Sequence, residues 1–396
     1  MRSAFAILIV CALLLSGCQM VGRPPEGGSQ IAEPVLDPRI ANLSLEQKVG
    51  QLLYVGLEGN DVTVNQVILS NLQPGGLIFF ARNFTTLEQT AEALNAYRQN
   101  PDLAWPMFIG TDQEGGQVSR LPVAWATRFP TARTVGQHAD SAQALALAMG
   151  QELAALGMNM DFAPVLDVNS NPQNPVIGDR SFGSTVETVW AAGHQVISGL
   201  TASGVIPVVK HFPGHGDTSV DSHTALPSVT ADRELLENRE LRPFKDAVDA
   251  GVPALMVSHL LVSALDPDRP ASMSHSIITG LLREQWGYQG LVVTDDMEMG
   301  AISQGNIGEA AVQAVLAGAD MLLVCHTFDK QQAVRDALLS AVQSERISEE
   351  RLNQSLTRIL TLKDQYQVNR TAVEVQQARQ VLGSPEHRNL VKSLGN

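Results

Sequence analysis

The sequence predicts a single-domain (β/α)8 barrel of the TIM type, and three observations carry that prediction. Eight short apolar runs recur along the chain, at 51–57, 76–80, 106–110, 158–163, 205–209, 253–258, 290–294 and 320–325. None alternates apolar with polar residues, as expected of parallel strands covered on both faces. Helical stretches fall between most of them, at 87–99, 141–156, 186–203, 233–250, 276–286 and 309–317, and strand–helix alternation on this scale suggests a closed barrel. The competing architecture, an open doubly wound sheet, loses its main support because no GxGxxG or GxxxxGK[ST] follows a strand.

The elements can be justified in order. Leu43-Ser44-Leu45-Glu46 is a helix-start signal ahead of the first strand. The runs and helices above then follow, and 331–339 and 349–362 read as closing helices. Residues 371–394 read as helical, packed on the outside of the barrel and broken near 383–385 by Gly383 and Pro385. The expected organisation is a leader at 1–17, a tether at 18–40, the barrel at 41–366 and a helical extension at 367–396.

Composition narrows the function classes. With 396 residues, 44% hydrophobic and 17% charged, the chain buries a large core, which excludes disordered and collagen-like readings. The net charge of −14 comes without any basic block, so a nucleic-acid partner is not expected.

The first residues read as an address. Arg2 precedes an apolar run, 4–15, too short to span a bilayer, and the run ends in Leu15-Ser16-Gly17-Cys18. This resembles a bacterial lipoprotein signal, with cleavage before Cys18 and lipid on its thiol. Gln19 after the Cys resembles the outer-membrane sorting pattern, giving a protein anchored in the envelope and facing the periplasm. Of the three cysteines only Cys325 would then remain unmodified, which leaves no intramolecular disulfide to form.

Ionisable residues gather where the strands end, the mouth at which barrel chemistry sits. The third run leads into Thr111-Asp112-Gln113-Glu114-Gly115-Gly116, and the fourth into Asp167-Val168-Asn169. The fifth leads into Lys210-His211, the sixth into His259 and the seventh into Asp295-Asp296. Any one such residue is ordinary; five of eight strands delivering Asp, Lys or His to one rim points to an enzyme.

Lys210-His211-Phe212-Pro213-Gly214-His215-Gly216-Asp217, followed by Asp221-Ser222-His223, resembles the signature of bacterial β-N-acetylglucosaminidases (β-hexosaminidases) of glycoside hydrolase family 3. Thr111 to Arg120, Gly178-Asp179-Arg180-Ser181-Phe182-Gly183 and Thr294-Asp295-Asp296-Met297 resemble that family as well, and the similarity spans roughly 43–362. The resemblance implies removal of non-reducing-end N-acetylglucosamine from chitooligosaccharides or peptidoglycan fragments by a monomer, with net retention and with no cofactor or metal. It also implies Asp295 as nucleophile, Asp221 and His223 as an acid/base dyad, and Asp112, Arg120, Arg180, Lys210 and His211 as sugar-binding residues.

The residues support that chemistry independently. Retention needs a nucleophile on one face of the sugar and a proton donor at the leaving oxygen. Asp295 ends an apolar strand near Lys210 and should stay ionised, whereas Asp296 should point away if the strand continues past it. A carboxylate such as Asp221 can hold one imidazole nitrogen of His223 and leave the other to shuttle a proton. His215 and Asp217 are expected to shape their loop, and His259 to line the rim or to be a buried, satisfied histidine. Asp167 and Asn169 are expected behind the sugar-contacting residues, and the Gly115-Gly116 turn leaves the direction of Glu114 open. His211, His215, Asp217 and His223 loosely resemble zinc-ligand spacing, but Pro213, Gly214 and Gly216 prevent the helix that would put the rings on one face. The other readings are a family 3 β-glucosidase, a phosphorylase of the same sugars, or an inactive carbohydrate-binding envelope lipoprotein. The intact Asp295, Asp221 and His223 argue against the last.

Overall fold

In the computed structural model, which describes residues 36–218, 226–303 and 305–395, eight parallel strands close into a barrel. They are β1 (Leu53–Gly56), β2 (Gly76–Phe79), β3 (Phe108–Thr111), β4 (Met160–Asp161), β5 (Ile206–Phe212), β6 (Ala254–Val257), β7 (Leu291–Asp296) and β8 (Met321–Val324). Each strand pairs with its neighbours in sequence, and β8 closes on β1 through Leu53 opposite Leu322 and Val55 opposite Val324. Every one of the eight apolar runs overlaps a barrel strand, so the (β/α)8 expectation holds.

The barrel fills with side chains rather than forming a pore. Tyr54 is fully buried, and its ring packs edge-on against Phe162 at 5.2 Å between centroids. A β-carbon at Gly76 would sit 2.4 Å from the Tyr54 ring, and one at Gly110 would sit 2.6 Å from its hydroxyl. Glycine on two neighbouring strands therefore makes room for one large interior residue.

The expected helices are present with small shifts, among them Leu87–Arg98, Ala139–Ala155, Val186–Ala202, Ile307–Ala317, Phe328–Gln343 and Glu349–Gln365. The 276–286 helix is present as Ser276–Gln285, wound as a π-helix. Two departures have local causes. Val62–Leu72 is helical although its β-branched Val62-Thr63-Val64 start disguises it; the Asp61 carboxylate caps it by accepting from the Val64 N–H at 3.1 Å. The single helix expected over 233–250 is three pieces, Arg233–Leu235, a π-turn at Leu236–Glu240, and Arg242–Asp249. Pro243 has no N–H to continue the ladder, so it starts a new helix instead of prolonging the old one.

Near the C-terminus, helices Val375–Val381 and Pro385–Lys392 flank Gly383. The buried Glu152 carboxylate ties them to the Ala139–Ala155 helix, accepting from the Gly383 N–H at 2.9 Å and lying 2.9 Å from the His387 ring. Thr127 donates its N–H to the other oxygen at 2.9 Å. At the N-terminal end of the barrel, the buried Asp320 just before β8 accepts from Arg283, Arg358, Ser355 and the Val292 N–H at 2.6–3.0 Å.

Candidate active site

The C-terminal ends of the strands open into a cleft of about 340 Å³, lined by Asp112, Glu114, Arg120, Arg180, Lys210, His211, His215, Asp295 and Asp296, with Phe80, Met299 and His326 also on its wall. Two breaks in strand register put chemistry there. β5 extends past the expected 209 to Phe212, and its pairing with β6 shifts between Val209 and Phe212. A bulge cancels the alternation of side chains, so the consecutive Lys210 and His211 both line the cleft.

The same happens on β7, which continues to Asp296 and shifts register against β8 between Met321 and Leu323. Asp296 therefore does not turn away from the cleft as plain alternation required; both aspartates line it. What separates them is occupancy. One Asp296 oxygen accepts from the Cys325 N–H at 3.1 Å and the Glu298 N–H at 3.1 Å, and the other lies 3.1 Å from His326 Nε2. Among the described residues, the Asp295 carboxylate accepts a single hydrogen bond, from the Asp296 N–H at 2.9 Å. Burial raises the Asp295 carboxyl, but the His211 and His259 rings, that N–H and Lys210 outweigh it and hold it below the usual range. Asp295 is thus an ionised carboxylate with lone pairs to spare.

Beside it lies a charge network. Lys210, 2% exposed, donates to Asp112 at 2.8 Å and contacts Glu114 at 2.7 Å. Arg180 clamps Glu114 with both arms of its fork, at 2.8 and 2.7 Å, and Arg120 reaches the second Asp112 oxygen at 3.4 Å. Burial penalises all these charges, yet they repay one another. Asp112 and Glu114 stay below their usual range, while Lys210 and Arg180 are pushed above theirs. Glu114, whose direction the Gly115-Gly116 turn left open, is therefore bound inward between two cations and is no free acid.

Asp167 acts from behind. It is fully buried, lies 2.6 Å from His211 Nδ1 and accepts the His215 N–H at 2.6 Å. His215 is buried on the cleft wall, 2.8 Å from the Thr218 hydroxyl, and Asp217 pairs with Arg239 at 2.7 Å. His259 resolves as a buried, satisfied histidine, hydrogen-bonded to Ser272 at 2.7 Å and the Asp296 carbonyl at 3.1 Å. Among the described residues no three His, Cys, Asp or Glu side chains are grouped to hold a metal.

The five sugar-site candidates Asp112, Arg120, Arg180, Lys210 and His211 and the nucleophile candidate Asp295 are thus brought to one cleft. Asp221, His223 and Cys18 lie outside the described residues. Sequence reading passed over Phe80 and His326, at the ends of β2 and β8. The signal was available, since His326 follows its strand as His259 follows β6.

Comparison with known proteins agrees with this architecture. Residues 44–362 match the family described as the glycosyl hydrolase family 3 N terminal domain. Beta-hexosaminidase A of Pseudoalteromonas piscicida is 36% identical over 83% of this chain, which spans only 59% of that relative's length. Beta-hexosaminidase LpqI of Mycobacterium tuberculosis is 35% identical over 90% of this chain and 96% of its own. A solved family 3 beta-N-acetylglucosaminidase from Paenibacillus sp. str. FPU-7 is 43% identical and superposes with a TM-score of 0.80, covering 89% of this chain and 68% of that one.

Proposed function

The chain belongs to glycoside hydrolase family 3, and we propose that it is a retaining exo-β-N-acetylglucosaminidase. The observation that carries this reading is Asp295, an ionised carboxylate with one hydrogen bond among the described residues, beside a cleft wall dense in donors and acceptors for sugar hydroxyl and acetamido groups. The relatives named beta-hexosaminidase and beta-N-acetylglucosaminidase support the same substrate class.

In the first step a carboxylate oxygen of Asp295 attacks the anomeric carbon, and the bond to the leaving oxygen breaks as His223 delivers its proton there. The Asp221 carboxylate orients that imidazole and balances its charge. In the second step the now neutral His223 takes a proton from water, the water oxygen displaces Asp295 from the anomeric carbon, and the β-configured sugar leaves. The roles of Asp221 and His223 rest on the motif resemblance. Asp112, Lys210, Arg180, Arg120 and His211 hold the terminal sugar, their charges kept in register by Glu114 and Asp167.

The leader pattern ending in Cys18 supports a mature protein that is lipid-anchored in the outer membrane and facing the periplasm. There, as a monomer, it would meet chitooligosaccharides or peptidoglycan fragments. The resemblance gives no reason to invoke a cofactor.

Hydrolysis of an aryl N-acetylglucosaminide against the matching aryl glucoside tests the assignment. The N-acetylated substrate should have the higher kcat/KM, and a preference for the glucoside would overturn it. A 2-fluoro sugar should trap an ester on Asp295, identified by peptide mass; label on any other residue refutes the nucleophile.

A further inference from the structure

Resting on that glycosidase reading, we propose that His326, braced by Asp296 and Phe80, selects the leaving sugar by binding a hexopyranose ring on the far side of the cleaved bond. His326 follows β8 and stands at the rim of the cleft with its side chain 48% exposed, whereas Lys210 and Glu114 are 2% and 3% exposed. In the exo-acting reading the terminal sugar is held against the deep wall of Lys210, Asp112 and Arg180, so the departing half of the substrate lies toward the open rim. The aglycone therefore meets whatever stands on the rim.

The His326 ring is held in place before any ligand arrives. Its Nε2 lies 3.1 Å from Asp296 Oδ2, and its ring lies 5.2 Å from that of Phe80 at 36°. The backbone beneath is pinned, because the N–H groups of His326 and Thr327 both donate to Glu298 Oε1, at 2.6 and 2.8 Å. Phe80 is fixed in turn, with the Arg82 guanidinium 4.6 Å from its centroid and that guanidinium bound to the Leu57 and Cys325 carbonyls. Among the described residues nothing hydrogen-bonds to Nδ1.

A pre-oriented imidazole with one nitrogen occupied and the other open suits a sugar. It offers an aromatic edge or face to ring C–H groups and a hydrogen-bonding atom to a hydroxyl, at little cost in side-chain ordering. The rest of the carboxylate–imidazole pair has another duty, since Asp296 also anchors the Cys325 and Glu298 amides. His326 is therefore a specificity-determining residue that meets the departing half of the substrate.

The test compares two substrates that share the terminal sugar and differ in what leaves. One is the β-1,4-linked disaccharide of N-acetylglucosamine, and the other is β-N-acetylglucosaminyl fluoride, whose leaving group has no ring to reach the rim. In His326→Ala the ratio of kcat/KM for disaccharide over fluoride should fall by about tenfold, the scale of one hydrogen bond lost at an otherwise assembled site. Phe80→Leu, which removes the brace but keeps the imidazole, should lower the same ratio by a smaller factor. An equal fall on both substrates overturns the proposal by placing His326 at the reacting centre through Asp296, and an unchanged ratio overturns it as well. A wild-type protein that releases N-acetylglucosamine from neither substrate refutes the glycosidase reading instead.

Discussion

Glu114→Gln tests whether the charge network, and not merely the shape of the cleft, holds the site together. Three cationic donors converge on the two Glu114 oxygens, Arg180 Nε at 2.8 Å, Arg180 Nη2 at 2.7 Å and Lys210 Nζ at 2.7 Å, and the side chain is 3% exposed. An amide of the same shape offers one oxygen and brings two donors of its own. Arg180 Nη2 and Lys210 share Oε1 while Arg180 Nε uses Oε2, so the amide N–H group faces Arg180 Nε in one orientation and both Arg180 Nη2 and Lys210 in the other. Removing one partner of a buried ion pair costs about 3–5 kcal/mol because the remaining charge stays buried and uncompensated. Rearrangement of Arg180 toward the Val176 carbonyl, already 3.3 Å from Nη1, recovers part of it, so we expect about 3 kcal/mol of lost stability. Arg180 and Lys210 also line the cleft. If about 2.7 kcal/mol of the loss falls on the bound transition state, kcat/KM drops on the order of a hundredfold at 1.36 kcal/mol per decade. Urea unfolding and hydrolysis of an aryl N-acetylglucosaminide read the two effects separately. A variant with an unchanged unfolding midpoint and kcat/KM within about twofold of wild type would refute the claim that Glu114 organises these cations.

The remaining predictions concern the scaffold. Lys363 donates to Gln51 Oε1 at 2.9 Å and lies over the Trp105 and Phe108 rings, and burial, with Arg370 nearby, pushes its ammonium down from 10.5 to about 7. The unfolded chain keeps that proton up to its ordinary value, so between about pH 7 and 10.5 it binds more protons than the folded chain and stability rises with pH; below about 7 the penalty is constant. Lys363→Met should therefore be more stable than wild type at pH 7, by about 2 kcal/mol after the lost hydrogen bond and ring contacts are offset, and the difference should shrink at pH 9. Urea midpoints at the two pH values decide it, and a variant less stable at pH 7 contradicts the sign. Asp320→Asn leaves Arg283 and Arg358 without their buried carboxylate and should cost about 3–5 kcal/mol. Because Asp320 lies at the end of the barrel opposite the cleft, kcat of the folded variant should stay within about twofold. A large fall in kcat with an unchanged unfolding midpoint would refute that separation.

Much of the fold is legible without coordinates because parallel strands buried on both faces leave a local mark. Each of the eight apolar runs overlaps a barrel strand, and each strand pairs with its sequence neighbours. Where local propensity and tertiary packing disagree, the local reading fails, as at Val62–Leu72, where a capped helix hides behind β-branched residues. The identities of the mouth residues are likewise a local matter, since a strand end in a barrel is a rim position whatever surrounds it.

What the sequence determined by itself was therefore the barrel, the strand ends and the set of ionisable groups delivered to one mouth. Only the tertiary structure decided which way those groups face and which are occupied. The register shifts of β5 and β7 depend on pairing with β6 and β8, strands that arrive tens of residues later, and they turn Lys210 with His211, and Asp295 with Asp296, onto the same cleft. Among the described residues Asp296 is then taken up by two amides and His326 while Asp295 keeps one bond, and Glu114 is drawn in between Lys210 and Arg180. Alternation along a strand is a property of one segment. Bulges, ion-pair partners and the number of free lone pairs belong to contacts between segments far apart in the chain, and nothing within a single run of residues records them.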